Sequence, residues 1–452
     1  MKRETLGAFL VLLLLAAGAL GANPFAGQTV APMDLLLGWS GWSTISMEKT
    51  VVNWSPHDII DSVLPFWLAM KRELRSGHLP LWYSSSAGGT PLNYDLFNPL
   101  FWLFAAVKDH ALAYYLVGLA KLVIAGCGTL LFLGMFVGWL PSLWGGIVFM
   151  LCGFNAAWFF WDHVSTAMWI PWLHWAVVSY LRTEDRKWLP VLSVASLLMI
   201  AGGFFSVAAF GFYSVALVVL LWSAGDLYYQ MRQRSSSAAA SLAKFLRQTL
   251  LPLSAIGIAF VMAGGALLPF AVEMSGVNLS MRTGGQTKFD GLADLALFFR
   301  LERPLDMEVT AYVGIPVLLF ALTAILWSAR ATFVRTRRIV FIYGTLTAVA
   351  TAIAFGLLPA GMIQTIPIFN SHPWGRLIVI SHLGLAILSA FGLHFMFGPY
   401  VQRAGASATV GKFVSRGAAL LLLMALLAFQ FQAQKKYSMP ITQLCLRHCS
   451  IR

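Results

Sequence analysis

HALAYYLVGLAKLVIAGCGTLLFLGMF, residues 110–136, carries one charged side chain, Lys121, within a stretch long enough to cross a bilayer. About 20 residues of helix span the hydrocarbon core, so this run by itself argues for a membrane protein. Comparable runs read at 6–20, 141–160, 166–182, 187–205, 206–228, 249–271, 311–329, 338–357, 376–398 and 417–432. Together they predict an all-α polytopic membrane protein with about eleven transmembrane helices. Composition agrees: of 452 residues, 59% are hydrophobic and 11% charged, with a mean hydropathy of +0.75. That is too little polar surface for a soluble domain of this length. A single transmembrane domain, 1–434, and a short tail, 435–452, account for the chain.

Lys2 and Arg3 precede the run from Leu6 to Leu20, which ends in Gly-Ala-Asn-Pro. It reads either as a signal peptide, with Ala19 and Gly21 small enough for cleavage, or as a retained first helix. Either way the following loop is exported. With the N-terminus in the cytoplasm, the basic groups Arg182/Arg186/Lys187, Arg232/Arg234/Lys244/Arg247, Arg330/Arg335/Arg337/Arg338 and Arg403/Lys412/Arg416 all fall inside, as the positive-inside rule requires. The net charge of +13 therefore marks topology and anionic lipid, not nucleic acid. The Ser/Ala run 235–241 reads as a cytoplasmic linker. Cys445, Cys449 and His448 are too few ligands for a zinc site.

Two extracytoplasmic segments are much longer than turns, 22–109 and 272–310, and function concentrates in such loops. In the first, Ser55-Pro56-His57-Asp58 is a helix start, with Ser55 as cap and Asp58 closing a capping box. Ile60, Val63, Trp67, Met70 and Leu74 form one apolar stripe, and Asp58, Asp61, Lys71, Arg72 and Arg75 lie off it. Gly77 ends the helix. Such an amphipathic helix lies along the membrane surface with its stripe in lipid or against the bundle. Pro65 cannot donate to the Asp61 carbonyl, so the helix opens there. Asp58 and Asp61, one turn apart, raise each other's proton affinity, which suits a general base or a divalent cation. Spacing leaves two readings for them: helix-terminal charge, or chemistry. Gly202 and Gly203 permit a tight reversal between two spans.

Beyond the helix come Gly77-His78-Leu79-Pro80-Leu81-Trp82, Gly88-Gly89-Thr90-Pro91 and Asn98-Pro99. Further on stand Cys152-Gly153-Phe154 with His163-Val164-Ser165, Ala311-Tyr312-Val313-Gly314, and Pro367-Ile368-Phe369-Asn370 leading to Arg376. In order and spacing these blocks resemble the YfhO-type bacterial membrane proteins, which are similar to the GT-C class of integral-membrane glycosyltransferases. One departure is Leu100-Phe101-Trp102, where the family carries polar residues after its Asn-Pro.

The resemblance implies transfer of a sugar from a polyprenyl-phosphate donor to a cell-envelope glycan or lipid acceptor. The expected place is the extracytoplasmic face of the bacterial inner membrane. Asp58 is the residue carried over as catalytic, with Asp61 its neighbour. For substrate binding the candidates are Arg376, at the depth of a lipid phosphate, with His372, Arg282, His163 and Trp82. Arg376 also reads as a snorkelling interfacial arginine, His163 as a hydrogen-bonded interfacial histidine, and Trp82 as a loop anchor. An aspartate base needs no metal, while an Asp58/Asp61 pair with a phosphate can hold Mg²⁺ or Mn²⁺, and both readings stay open. The alternatives are a lipid or polysaccharide transporter or flippase, or a non-catalytic envelope-assembly protein. A transporter calls for ionisable groups inside the spans, where Lys121 and His174 are the main examples.

Overall fold

A computed structural model of the chain describes residues 3–26, 28–39, 56–83, 89–91, 95–233, 237–276, 285–300, 307–328 and 334–403. The predicted span 417–432, the cap Ser55 and the candidate Arg282 lie outside the described residues.

The chain is helical: α1 (Arg3–Leu20), α2 (Leu64–Arg75), α3 (Pro99–Ala106), α4 (His110–Leu133), α5 (Trp139–Met150), α6 (Gly153–Ala157), α7 (Asp162–Ala167) and α8 (Ile170–Thr183). There follow α9 (Trp188–Ala201), α10 (Phe205–Gln233), α11 (Ala238–Met262), α12 (Gly264–Ser275), α13 (Ile315–Ser328), α14 (Val334–Ala354), α15 (Ala360–Ile363) and α16 (Ile378–Arg403). Among the described residues the strands are one antiparallel pair, β1 (Trp82–Tyr83) and β2 (Thr90–Pro91). Six described helices, α1, α4, α10, α11, α14 and α16, are long and apolar enough to cross a bilayer, and α5, α9 and α13 are shorter apolar helices. The protein is a multi-pass membrane protein.

α16 is the bundle's axis, buried over 94% of its apolar window. Glycines permit that: a Cβ at Gly392 would stand 1.8 Å from the Phe320 carbonyl of α13, and one at Gly384 would collide with Thr347 of α14. Small residues let helix backbones approach where dispersion and hydrogen bonds replace the hydrophobic drive. Trp144 of α5 donates to Ser389 of α16 at 3.0 Å. His174 of α8 joins Tyr343 of α14 and Ser214 of α10, each at 2.9 Å.

Three expectations are corrected. The spans read at 141–160 and 166–182 are not continuous: α5 stops at Met150, and 151–169 is a turn broken into the short helices α6 and α7. Irregular backbone at such depth persists only where protein or an aqueous cavity satisfies it. Here Gly153 N donates to the Tyr312 carbonyl at 2.8 Å, and Asn155 Nδ2 donates to the Phe149 carbonyl at 2.7 Å. The span read at 249–271 is divided at Ala263 into α11 and α12. The Ser/Ala run is partly helix, since Ser237 Oγ caps α11 by accepting from Ala240 N.

One end of the bundle collects expected cytoplasmic charges. Arg338 pairs with Asp226 at 2.6 Å, Lys244 with Glu184 at 3.0 Å, and Arg247 with Glu184. These contacts join the ends of α8, α10, α11 and α14. The first-loop segment, the 151–169 break and the start of α16 lie at the other end.

An acidic crevice beside an aromatic-clamped arginine

The first-loop helix opens where Pro65 requires. Ile59–Val63 is a π-turn, with Leu64 N donating to the Ile59 carbonyl, and α2 follows with Pro65 in its first turn. Ser76 caps it, and Gly77, at φ +83°, turns the chain so that His78 N reaches the Glu73 carbonyl. The apolar stripe does not face lipid: Trp67 and Met70 are buried, and Trp67 packs on Phe101 and Phe104 of α3 at 5.8 and 5.5 Å. The Leu100-Phe101-Trp102 departure is thus the seat of α2. Asn98 Oδ1 accepts from Leu100 N at 3.0 Å, which explains the Asn-Pro pair as a helix start. Lys71, expected off the stripe, is buried over Phe104 and donates to the Val107 carbonyl at 2.6 Å. Burial is the main cause, and Arg75 the next, that lowers its ammonium to about 8.

Asp58 is 62% exposed, its side chain accepts no hydrogen bond from the turn that follows it, and it sits 3.2 Å from His57. The capping-box expectation pairs it with Ser55, which lies outside the described residues. Asp61 is exposed as well. Trp82 is 57% exposed on β1, and its indole lies against Gly89, where φ is +115° and a Cβ would stand 2.3 Å from Trp82 Nε1. That glycine is the floor under the indole. His372 is half-buried, with Nδ1 3.0 Å from Ser371 Oγ.

The buried carboxylates are elsewhere. Asp95 opens the turn Asp95–Phe97 just before α3 and accepts a hydrogen bond from the Trp67 side chain. Asp162 opens α7 and accepts from Ser165 Oγ at 3.3 Å. Both keep partial solvent access while protein surrounds them, which describes a crevice. Burial, then the neighbouring Asp162, lifts Asp95 to about 7, against the Trp67 bond. Burial also raises Asp162, opposed by Lys121 and by Ser165. Two like charges in a low-dielectric crevice resist joint ionisation. Lys121 of α4 lies under this turn, 5% exposed, and donates to the carbonyls of Phe159 and Trp161, each at 3.1 Å. On the other side Gly203, at φ +100°, brings its backbone so close that a Cβ would meet the Asp162 carboxylate carbon at 3.2 Å. The Gly202-Gly203 reversal is thus a wall of the crevice.

His163 follows Asp162 and is sandwiched between Trp158, at 3.9 Å, and Phe204, at 3.5 Å. Both ring nitrogens are buried with no hydrogen-bond partner among the described residues; the interfacial hydrogen bond expected for it is not made. Burial, Arg376 and Lys121 hold its basicity well below the ordinary range, so the ring is neutral, with one donor and one acceptor. Arg376 lies over the same two aromatic rings, at 4.7 and 5.3 Å. Its Nε stands 3.2 and 3.0 Å from the Glu308 oxygens, and Nη2 completes the fork. The guanidinium is therefore ion-paired rather than snorkelling. His163 and Arg376, proposed from sequence, come together; the exposed Asp58 and Asp61 are not among the residues that line this group.

Sequence reasoning missed Asp95. The available signal was that it is the only acidic residue between Glu73 and Asp109, just before the Asn98-Pro99 helix start. Asp162 stands beside His163, just past the apolar run 141–160. Among the described residues no group of three His, Cys, Asp or Glu side chains stands ready to hold a metal ion.

No family model matches the chain, and no curated protein matches it. Among solved structures, it is similar to the crystal structure of the Archaeoglobus fulgidus oligosaccharyltransferase in the apo form. The TM-score is 0.50 at 12% sequence identity, over 97% of this chain. This chain spans 57% of that protein's length. The likeness is one of fold.

Proposed function

We propose that the chain is a membrane glycosyltransferase that moves a sugar from a polyprenyl-phosphate donor to a cell-envelope acceptor. Its site faces the extracytoplasmic side of a bacterial inner membrane, and Asp95 is the base. The observation that carries this reading is the Asp95/Asp162 crevice, set beside Arg376 and His163 where the helices are broken. A carboxylate near 7 is matched to taking a hydroxyl proton at neutral pH. The acceptor oxygen attacks the anomeric carbon, the bond from that carbon to the phosphate oxygen breaks with its electron pair leaving on phosphate, and the hydroxyl proton passes to Asp95. Solvent then takes the proton. A divalent cation on the phosphate would supply charge neutralisation, but the described residues offer it two carboxylates rather than a ligand cluster, and the proton chemistry runs on the chain's own groups.

Two of the blocks that resemble the YfhO-type proteins meet in the fold, where Gly153 N donates to the Tyr312 carbonyl, and His382 Nε2 lies 2.9 Å from the carbonyl of Ala311 in the second of them. Arg376 pairs with Glu308. The transporter reading is the less supported. Lys121 is committed to two carbonyls and His174 to Tyr343 and Ser214, which leaves no relay through the spans from these two groups.

The test is transfer itself. Purified protein is given polyprenyl-phosphate sugars and a hydroxyl acceptor, and wild type is compared with Asp95→Asn and Asp58→Asn. Loss in Asp95→Asn with retention in Asp58→Asn supports the assignment; the reverse returns the base to Asp58. Lipid movement in proteoliposomes without transfer would favour the flippase.

A further inference from the structure

We propose that α3, with the turn that leads into it, is seated in the hydrocarbon of one bilayer leaflet, where Phe97 and Trp102 face lipid chains. The proposal rests on the chain's being a membrane protein. The transferase reading enters only in its consequence.

Charge and hydrogen bonding come first. From Leu96 to Val107 no side chain is charged, and Asp95 and Lys108 bracket the stretch. The N–H groups that open α3 find partners within the protein, as backbone in lipid must. Pro99 has none to place, Leu100 N donates to Asn98 Oδ1, and Phe101 N donates to the Asn98 carbonyl, each at 3.0 Å. The Trp102 indole, whose one polar atom would be costly in lipid if bare, donates to the Leu96 carbonyl at 2.7 Å. Past the last turn the Val107 carbonyl accepts from Lys71 at 2.6 Å.

Placement then gives the direction. α3 turns back on α4 through Val107-Lys108-Asp109, and the Phe104 ring stands 6.2 Å from the His110 ring. Lys108, Asp109 and His110 are exposed, so this turn is the wet end of the hairpin. The opposite end lies against α12: a Cβ at Gly265 would come 3.6 Å from the tip of the Phe97 ring. α12 continues the α11 span, along which Val261, Leu268 and Val272 are 82, 69 and 73% exposed. In a multi-pass membrane protein such an apolar surface is covered by lipid. From Gln248, bound to Asp226 at the charged end of the bundle, the helical rise to Gly265 is at most about 26 Å, inside the roughly 30 Å hydrocarbon core.

Phe97 and Trp102 are each nearly half exposed, and the bond to Leu96 lays the indole beside Phe97. The two rings therefore continue the lipid-facing surface of α11 and α12. α2 covers the other face of α3 through Trp67, and its exposed side chains Arg72, Glu73 and Arg75 are charged. Asp95 stands directly before α3, so on the transferase reading a substrate carried on a lipid reaches the crevice from the leaflet itself.

The experiment places a bimane probe on Phe97→Cys, Trp102→Cys, Leu268→Cys and Glu73→Cys in turn. The protein is full-length, in a Cys127→Ala/Cys152→Ala/Cys445→Ala/Cys449→Ala background, in nanodiscs of phosphatidylcholine and phosphatidylglycerol. Doxyl groups on the lipid chains should quench the Phe97→Cys and Trp102→Cys probes as strongly as the Leu268→Cys probe. Iodide in the water should leave all three bright, and the Glu73→Cys probe should show the reverse. Iodide quenching at the first two positions without doxyl quenching overturns the proposal. So does protection from both quenchers, which would put a protein partner or a second copy on this face. If the cysteine-free background does not fold, wild-type protein in nanodiscs is photolysed with a lipid carrying a diazirine in its chain. Carbene adducts on Phe97 and Trp102, as on α12, support the proposal; adducts on α12 alone overturn it. Neither measurement involves a sugar, so loss of the transferase reading would leave the seat of α3 standing, and the converse holds too.

Discussion

Arg376 and His163 share one aromatic slot: Trp158 and Phe204 sandwich the imidazole at 3.9 and 3.5 Å, and the guanidinium lies over the same two rings at 4.7 and 5.3 Å. The slot ties the 151–169 break, the start of α10 and the start of α16 into one unit. Glu308 adds the segment before α13.

The Arg376–Glu308 pair is 14% exposed on both sides, so removing one partner strands a poorly hydrated charge. Arg376→Met or Glu308→Gln is expected to destabilise by about 3 kcal/mol, and the double variant by clearly less than the sum. A double-mutant cycle on unfolding in detergent checks this; additive losses would mean that the pair is not coupled.

Asp95→Asn is expected to lower transfer by roughly 10²–10⁴-fold, the range for losing a general base. Asp58→Asn, at an exposed position, should change it by less than about tenfold. Initial rates with saturating donor, on protein shown to be folded by its thermal transition, provide the comparison.

Asp95 also makes a prediction about stability. In the fold it titrates near 7 against an ordinary 3.8, so the fold disfavours its charged form. The cost is absent below the unfolded value, grows as pH rises, and is complete above 7. Asp95→Asn should therefore raise the unfolding temperature at pH 8 and leave it nearly unchanged at pH 4. The size should be about 1–3 kcal/mol after discounting for water in the crevice. Equal stabilisation at both pH values would rule out the charge as its cause. A group that weakens the fold where it works is common at active sites.

Glycines at the crevice are expected to be intolerant of a methyl group. At Gly153 a Cβ would meet the Tyr312 backbone at 2.8 and 2.9 Å, and at Gly203 it would press on Asp162 with φ at +100°. Gly153→Ala and Gly203→Ala should each cost about 1–3 kcal/mol. Gly138→Ala, where nothing lies within 4 Å, is the control.

The sequence alone determined the class of fold and much of the first loop. Long apolar runs admit few structures in lipid, since every backbone group must be satisfied within the segment. The opening before Pro65 and the stop at Gly77 are backbone chemistry of single residues, so they were legible one residue at a time. The helix breaks at 151–169 and at Ala263 were not, because hydropathy reads the same through a broken helix that protein satisfies as through an unbroken one. The site was least legible of all. Asp58 and Asp95 are each a first-loop aspartate near a helix start, and no local feature says which is exposed and which is enclosed. Only the tertiary structure decided that, by bringing Trp67 and Asp162 to Asp95, with Lys121 under the Asp162 turn and Gly203 against the Asp162 carboxylate. Burial and the proximity of a second charge, which change what a carboxylate does, belong to the assembled bundle and to no stretch of sequence.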